Sequence, residues 1–262
     1  MELWTEINQR ANLRTHAESH ASLPGPKIAE GAPEDTLFEE LVQQYVKLSS
    51  RAEDMIVHQV SGEMEEGLRA HLSSYVLYIF FFGAVIHRPF VFSCSPKPET
   101  EPTNDIALSA TLLMPIALLS SYLTFLRSAL PQITVINLYR RIATRLSEHI
   151  FNRLILYHGH YRLTTAQGRV ICAECELWVE TCRAVLSGPS GRARVEAPWL
   201  RLLEGARLVA AEGSVWQKLV DVTFGMGDDV EWEEVMYGAL GISEMAREEV
   251  MQVLRTREDC EL

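Results

Sequence analysis

The sequence predicts an all-α protein built from stacked antiparallel amphipathic helices. Two stretches carry this prediction, because in each the apolar residues return every three or four positions with charged residues between them. In residues 138–157 the apolar positions are Leu138, Ile142, Leu146, Ile150 and Leu154. In residues 165–186 they are Ile171, Cys175, Trp178, Cys182 and Val185. No stretch of useful length alternates apolar and polar residues as a half-buried strand does.

The helices of the first half follow from the same spacing. Residues 1–14 predict a short helix, which the proline- and glycine-rich residues 22–33 end. A longer helix begins after a cap at Asp35 or Thr36, with Glu39 placed for a capping box. Its apolar stripe comprises Leu37, Leu41, Tyr45, Leu48, Ala52 and Met55. The next helix, residues 112–130, stops at Pro131 and has its apolar positions at Leu118, Tyr122, Phe125 and Ala129.

The last part of the chain predicts shorter helices joined by polar turns. Thr164 or Thr165 supplies the N-cap of the helix over residues 165–186, and residues 187–198 form a loop. Apolar residues at helical spacing then predict a helix over residues 200–209. Three more helices are expected around Trp216–Phe224, Val230–Leu240 and Glu244–Arg257, the last of them capped by Ser243.

One segment departs from this pattern. Residues 75–86 are a run of twelve apolar residues, followed by a proline-rich polar spacer. A membrane-spanning helix needs about 20 apolar residues, so the run is too short to span a bilayer. Two interpretations stay open: a buried apolar hairpin, or a short unspliced intron translated in frame over residues 76–93. The chain is therefore divided into N-terminal helices at 1–74, an irregular insertion at 75–111 and a C-terminal helical bundle at 112–262.

Composition and charge are those of a globular protein that does not bind nucleic acid. The 262 residues are 47% hydrophobic and 23% charged, which excludes wholesale disorder. The net charge of −11 argues against nucleic acid, whose phosphates need a net basic face. Five cysteines without framework spacing, and no secretory signal before them, favour a cytoplasmic location. Because the chain opens within a helical pattern, we expect it to be a fragment of a longer protein.

No set of residues predicts catalysis, a cofactor or a metal. The sharpest candidate combines His158 and His160 with Cys172 and Cys175, which are side chains of the types that bind zinc. Structural zinc sites place Cys-x-x-Cys on a turn, whereas here it lies inside a predicted helix. Cys175 belongs to the apolar stripe, so it is interpreted as a small buried side chain. We therefore expect no enzyme activity, no cofactor and no bound metal.

An uneven distribution of charge indicates a candidate partner surface. Residues 127–169 contain seven arginines and one acid, a net of +6, whereas residues 228–262 contain eleven acids and three arginines, a net of −8. Arg140, Arg141 and Arg145 lie away from the apolar stripe of their helix, and Arg141 and Arg145 are four residues apart. Water and salt alone could relieve their mutual repulsion. We predict instead that they pair with the acidic tail or with an acidic partner.

Several helical segments, taken in order, resemble the C-terminal part of the RINT/TIP family in the form that fungi carry. They are TLFEELVQQYVKLSSRAEDMIVHQV at 36–60, LMPIALLSSYLTFLRSALPQ at 113–132, LYRRIATRLSEHIFNRLILY at 138–157, AECELWVETCRAVLSG at 173–188, RARVEAPWLRLLEGARLV at 192–209 and LGISEMAREEVMQVLRTR at 240–257. The leading residues 3–26, from LWTEINQRA through SLPGP, are similar too. Residues 76–93 have no counterpart in the family pattern.

The resemblance implies a subunit of the Dsl/NRZ tethering complex, with the helical-rod architecture of the exocyst and related tethers. It implies capture of retrograde vesicles from the Golgi. The implied partners are endoplasmic-reticulum SNAREs and other tether subunits, which would hold the protein at the periphery of the endoplasmic reticulum membrane. Family members are much longer, and their N-terminal part, which pairs with the neighbouring subunit, is expected to be missing here. The residues alone favour a generic helical adaptor or scaffold for another assembly.

Overall fold

A computed structural model describes residues 37–83, 109–156, 162–186, 193–225 and 229–260. The α-helices are α1 (Leu37–Gly83), α2 (Leu113–Ala129), α3 (Gln132–Ile150), α4 (Thr165–Leu186), α5 (Ala193–Glu196), α6 (Leu200–Ala210), α7 (Gly213–Phe224), α8 (Asp229–Val235) and α9 (Arg247–Leu254). Short 3-10 turns precede α2 and α6, and π-helical segments at Phe151–Leu156 and Met236–Leu240 follow α3 and α8. Among these residues there is no strand, so the all-α prediction is confirmed.

The chain divides into two compact units, Met1–His58 and Gln59–Leu262. Helix α1 continues to Gly83, so the first residues of the predicted irregular insertion, 75–83, are helical. The physical reason is that residues 75–82 contain no proline or glycine that would end the helix. The rest of the insertion up to residue 108, the predicted first helix and the predicted cap at Asp35 or Thr36 lie outside the described residues. The three-part division of the chain stays a prediction.

Within the larger unit, α4 packs most extensively against α6 and also contacts α2. The apolar stripes predicted for α3 and α4 are buried, apart from Val185 at the end of α4, which is half-buried. Trp178 of α4 stacks on Trp199, with ring centroids 6.2 Å apart and planes inclined by 13°. The Trp199 indole N–H donates to the Tyr139 hydroxyl at 2.9 Å, and that hydroxyl donates to the Val195 carbonyl at 2.6 Å. The core is therefore aromatic at this point, and the Trp199 indole N–H and the Tyr139 hydroxyl both have hydrogen-bond partners.

A side-chain cap marks the start of α4, whereas the cap predicted for the last helix is not formed. Thr164 and Gln167 form a capping box at the start of α4: the Gln167 N–H donates to Thr164 Oγ1 at 3.2 Å, and the Thr164 N–H donates to Gln167 Oε1 at 2.9 Å. The prediction of a threonine cap is thus confirmed for Thr164. The predicted cap of the last helix, Ser243, is wrong because α9 begins later and has Ala246 as its N-cap. Ser243 is instead held by a buried carboxylate, that of Glu204, which accepts its N–H at 2.8 Å.

Helix α2 has the predicted extent but buries a different face. Its buried residues are Pro115, Leu119, Leu123 and Leu126. The predicted apolar residue Phe125 is 66% exposed, and Ala129 is exposed as well. The misassignment arises because apolar residues surround most of this helix, so their spacing does not single out one face.

The same composition gives α2 the length and apolar character that a membrane-crossing helix needs. Over the part of the chain that the structure describes, Ala110–Ala129 is the one helix that meets this criterion, and 28% of its apolar window is buried inside the fold. A core helix of a soluble protein meets the same criterion, so length and composition alone do not assign α2 to a membrane. Helix α2 packs on α3 and α4.

Helix α1 carries the predicted apolar stripe, but the stripe is exposed. Leu41, Tyr45, Leu48 and Met55 are 43%, 67%, 65% and 65% exposed, respectively. The buried residues of the described part of α1 come later in the chain, at Val57, Val60, Ser61, Met64, Leu68 and His71. Both sets therefore have helical spacing, but only the later set is buried.

Candidate partner surface

The arginines Arg140, Arg141 and Arg145 all lie on the exposed side of α3. Their position follows from the opposite face of the helix, which is fully committed to the core. Ile133, which is 73% exposed, lies seven residues before Arg140 and therefore on the same side of the helix. The exposed face of α3 is thus basic, with one large apolar side chain near its start. We call Ile133, Arg140, Arg141 and Arg145 the α3 face.

Arg145 has its counter-charge on α1. Its Nε donates to Glu65 Oε1 at 3.2 Å, across 80 positions of sequence. Arg141 also takes part in an interaction within the chain. The sequence predicts that the acidic tail or an external partner neutralises the charge of Arg145. In the structure Glu65 forms an ion pair with it. Sequence reasoning missed Glu65, and no local signal could have found a pair so far apart along the chain.

Two carboxylates of the acidic tail form ion pairs, one with α6 and one within the tail itself. Glu249 of α9 accepts from Arg201 Nη2 of α6 at 2.6 Å, and Asp259 accepts from Arg257 Nε at 2.9 Å. Arg257 is buried, lies 3.7 Å over the Trp216 ring and donates to the Val209 carbonyl at 3.1 Å. These contacts tie the tail to α6 and α7.

His149 lies one turn beyond Arg145 and is half-buried. Burial is the largest cause that lowers the pKa of His149, and Arg153 and Arg145 lower it further, whereas Glu65 opposes them. A pKa below the ordinary value of 6.5 leaves this imidazole neutral at pH 7. The positive charge of the α3 face therefore comes from its arginines.

Of the three cysteines of α4, Cys175 and Cys182 are buried in the core and Cys172 is half-buried. Burial raises the pKa of the Cys175 thiol well above its usual value, and it raises that of Cys172 as well. A protonated thiol is a poor nucleophile and a poor metal ligand. His158 and His160 lie outside the described residues. Within the described residues, no group of three or more His, Cys, Asp or Glu side chains could hold a metal ion.

A buried polar cluster joins α1 to α4, and sequence reasoning missed it. Glu174 is not one of the apolar-stripe positions of α4, yet its side chain is 1% exposed. His71 Nε2 lies 3.4 Å from Glu174 Oε2, and His71 Nδ1 lies 2.9 Å from Thr111 Oγ1. The Ser109 N–H donates to Glu174 Oε1 at 3.2 Å. Only the His71 and Glu174 side chains are fully buried, whereas Ser109 is half-buried and Thr111 is exposed.

These features define an all-α protein whose candidate functional features are exposed helix faces. Comparison with known families identifies it further: the model of the RINT-1/TIP-1 family matches residues 1–257. The chain therefore belongs to the RINT-1/TIP-1 family, a family of tether-complex subunits with a role in vesicle transport at membranes. No curated protein and no solved structure matches the chain. The expectation of a fungal form of the family stays a prediction.

Proposed function

We propose that this protein is a non-enzymatic tether subunit in retrograde transport from the Golgi to the endoplasmic reticulum. Its partners in this role are endoplasmic-reticulum SNAREs and other subunits of the tether. It reaches the endoplasmic reticulum membrane from the cytoplasm, indirectly through those partners.

The family match carries this proposal, because it extends over residues 1–257 and so includes nearly the whole chain. The α3 face supports it, since an exposed basic helix face with an apolar side chain can receive an acidic amphipathic segment. SNARE and tether partners would be recognised by such surfaces. In this proposal the α3 face is the partner surface.

Affinity purification of the tagged chain from cells tests the transport role. We expect endoplasmic-reticulum SNAREs and tether subunits to be enriched over an unrelated helical protein of similar charge. Enrichment of a different assembly, without SNAREs or tether subunits, would favour a helical adaptor and would refute the proposal.

Reversing charge on the α3 face should weaken this association. In the double variant Arg140→Glu with Arg141→Glu, both exposed cations become anions, so an acidic partner is repelled. We expect the recovered SNARE and tether subunits to fall several-fold at low salt. The difference should shrink as salt rises, because charges in exposed sites are screened beyond about 10 Å at 0.1 M ionic strength.

A matched control is the double variant Arg207→Glu with Lys218→Glu. Both residues are exposed on other helices, α6 and α7, and the change in net charge is the same. It should leave the association near that of the parent. Equal association of both double variants at low salt would show that the α3 face is merely solvated.

A further inference from the structure

The exposed stripe of α1 has the geometry of a coiled-coil seam. Leu41, Tyr45, Leu48, Ala52 and Met55 are separated by four, three, four and three residues. This is the heptad spacing with which one helix packs its side chains between those of another. The five side chains follow one another over about 21 Å of helix axis, at 1.5 Å per residue. We call these five residues the α1 seam.

The α1 seam does not include any of the buried residues of α1. Over the described part of this helix the buried residues begin at Val57, after the last seam residue, Met55. All five seam residues are exposed, and so are most of the residues between them. Packing contributes most of the stability of helices in proteins, and this part of α1 has little packing of its own.

Charge next to the seam limits what can cover it. In the heptad register, the positions that flank the seam on one side are Gln44, Arg51 and His58. On the other side they are Val42, Ser49 and Ile56. The flanks therefore contain a permanent cation and no carboxylate, and Lys47 stands one turn before Arg51. Glu53 and Asp54 occupy heptad positions away from the seam, and Lys47 shares the position of Asp54, so Arg51 alone gives the flanks their permanent charge.

We propose that the α1 seam binds one amphipathic helix of a partner protein whose flanking positions are acidic. The spacing calls for a helix, since only a helix supplies the matching holes along a 3.5-residue repeat. The cation calls for a carboxylate opposite Arg51, because flanking charges set partner choice in coiled coils. A second copy of this chain is a poorer occupant, because its own flanks offer Arg51 no carboxylate. The inference goes beyond the transport role and does not use the α3 face.

The test uses labelled peptides and the full chain. One peptide of about three heptads has leucine at the core positions and glutamate at the flanking positions. Its twin has lysine in place of every glutamate. We expect fluorescence anisotropy to show that the glutamate peptide binds and that the lysine peptide binds at least several-fold more weakly. With Arg51→Glu in the chain, this preference should reverse.

Leu48→Asp tests the seam itself. It should weaken binding of the glutamate peptide at least about tenfold, since a carboxylate would have to be buried in an apolar contact. Ser50→Asp is the matched control, because it adds the same charge at an exposed position on the other side of α1, and it should have little effect. Circular dichroism shows whether the variants keep their helix content.

Three outcomes would overturn the proposal. The first is equal binding of the two peptides by the parent chain, and the second is unchanged binding by Leu48→Asp. The third is a dimer of the chain in sedimentation velocity that Leu48→Asp abolishes, which would make a second copy the occupant. None of these measurements depends on SNAREs, so the result is distinguishable from failure of the transport role.

Discussion

Replacing Trp178 by alanine should lower the free energy of unfolding by about 3–5 kcal/mol, as truncation of a large core side chain does. Trp178 is 1% exposed and stacks on Trp199 at 6.2 Å between ring centroids. The change leaves a cavity between α4 and the turn before α6. It also loosens the support of Trp199, whose indole N–H donates to the buried Tyr139 hydroxyl. Equilibrium denaturation in urea, followed by circular dichroism, measures the loss.

Phe125→Ala is the matched control for this prediction. The phenyl ring belongs to the apolar stripe predicted for α2 but is 66% exposed in the fold. Its removal should change the free energy of unfolding by less than about 0.5 kcal/mol, as exposed substitutions usually do. If Phe125→Ala were as destabilising as Trp178→Ala, the buried face of α2 would be the one that the sequence predicts.

The contrast between α2 and its neighbours explains how far the sequence determines the fold. In α3 and α4, charged residues separate the apolar positions, so one face alone can be buried and the core residues are predicted correctly. In α2, the apolar residues leave several faces equally suitable. Contacts with α3 and α4 select the face that is buried. Both helices follow α2 in the sequence, so the residues of α2 alone do not reveal this choice.

The α1 seam shows a second limit of sequence patterns. Heptad spacing identifies a face that can pack against a helix, but it does not say whether that helix belongs to the same chain. The buried set around Met64 and Leu68 is covered by this chain, whereas Leu48 and Met55 are exposed. In the sequence both sets show apolar residues at the same helical spacing.

The polar contacts were the least predictable part. Arg145 meets Glu65 across 80 positions, and the Ser109 N–H meets Glu174 across 65. Charge counts along the sequence correctly placed an excess of arginine in the middle of the chain. They assigned the compensation of Arg145 to the tail or a partner, because they contain no information on which helices become neighbours. The position of the α3 arginines followed from helical phase, whereas their partners did not.

Gly168→Ala should destabilise the protein by about 2–3 kcal/mol, through overpacking at the contact of α4 with α6. A Cβ atom at residue 168 would overlap the Val209 carbonyl oxygen and lie 2.6 Å from its carbonyl carbon and 3.1 Å from the Ala210 nitrogen. All three are backbone atoms at the end of α6. They cannot rotate away as a side chain could.

The Val209 carbonyl at the end of α6 also accepts a hydrogen bond from the C-terminal part of the chain. Arg257 donates to the Val209 carbonyl at 3.1 Å and to the Thr165 hydroxyl at 3.1 Å, and both Val209 and Arg257 are buried. A shift of α6 that makes room for the new methyl group would therefore disturb the hydrogen bond from Arg257 to the Val209 carbonyl. An unsatisfied buried polar group costs about 1–3 kcal/mol, so relaxation offers little relief.

Gly62→Ala supplies the matched control, with an effect of opposite sign. Gly62 lies within α1, and a Cβ atom there would meet nothing within 4 Å. Because alanine is favoured over glycine in a helix by about 1 kcal/mol, this variant should be slightly more stable than the parent. Urea denaturation of both variants measures whether each one lowers or raises the free energy of unfolding relative to the parent. A Gly168→Ala protein as stable as the parent would mean that α4 and α6 do not approach each other as closely as the structure describes.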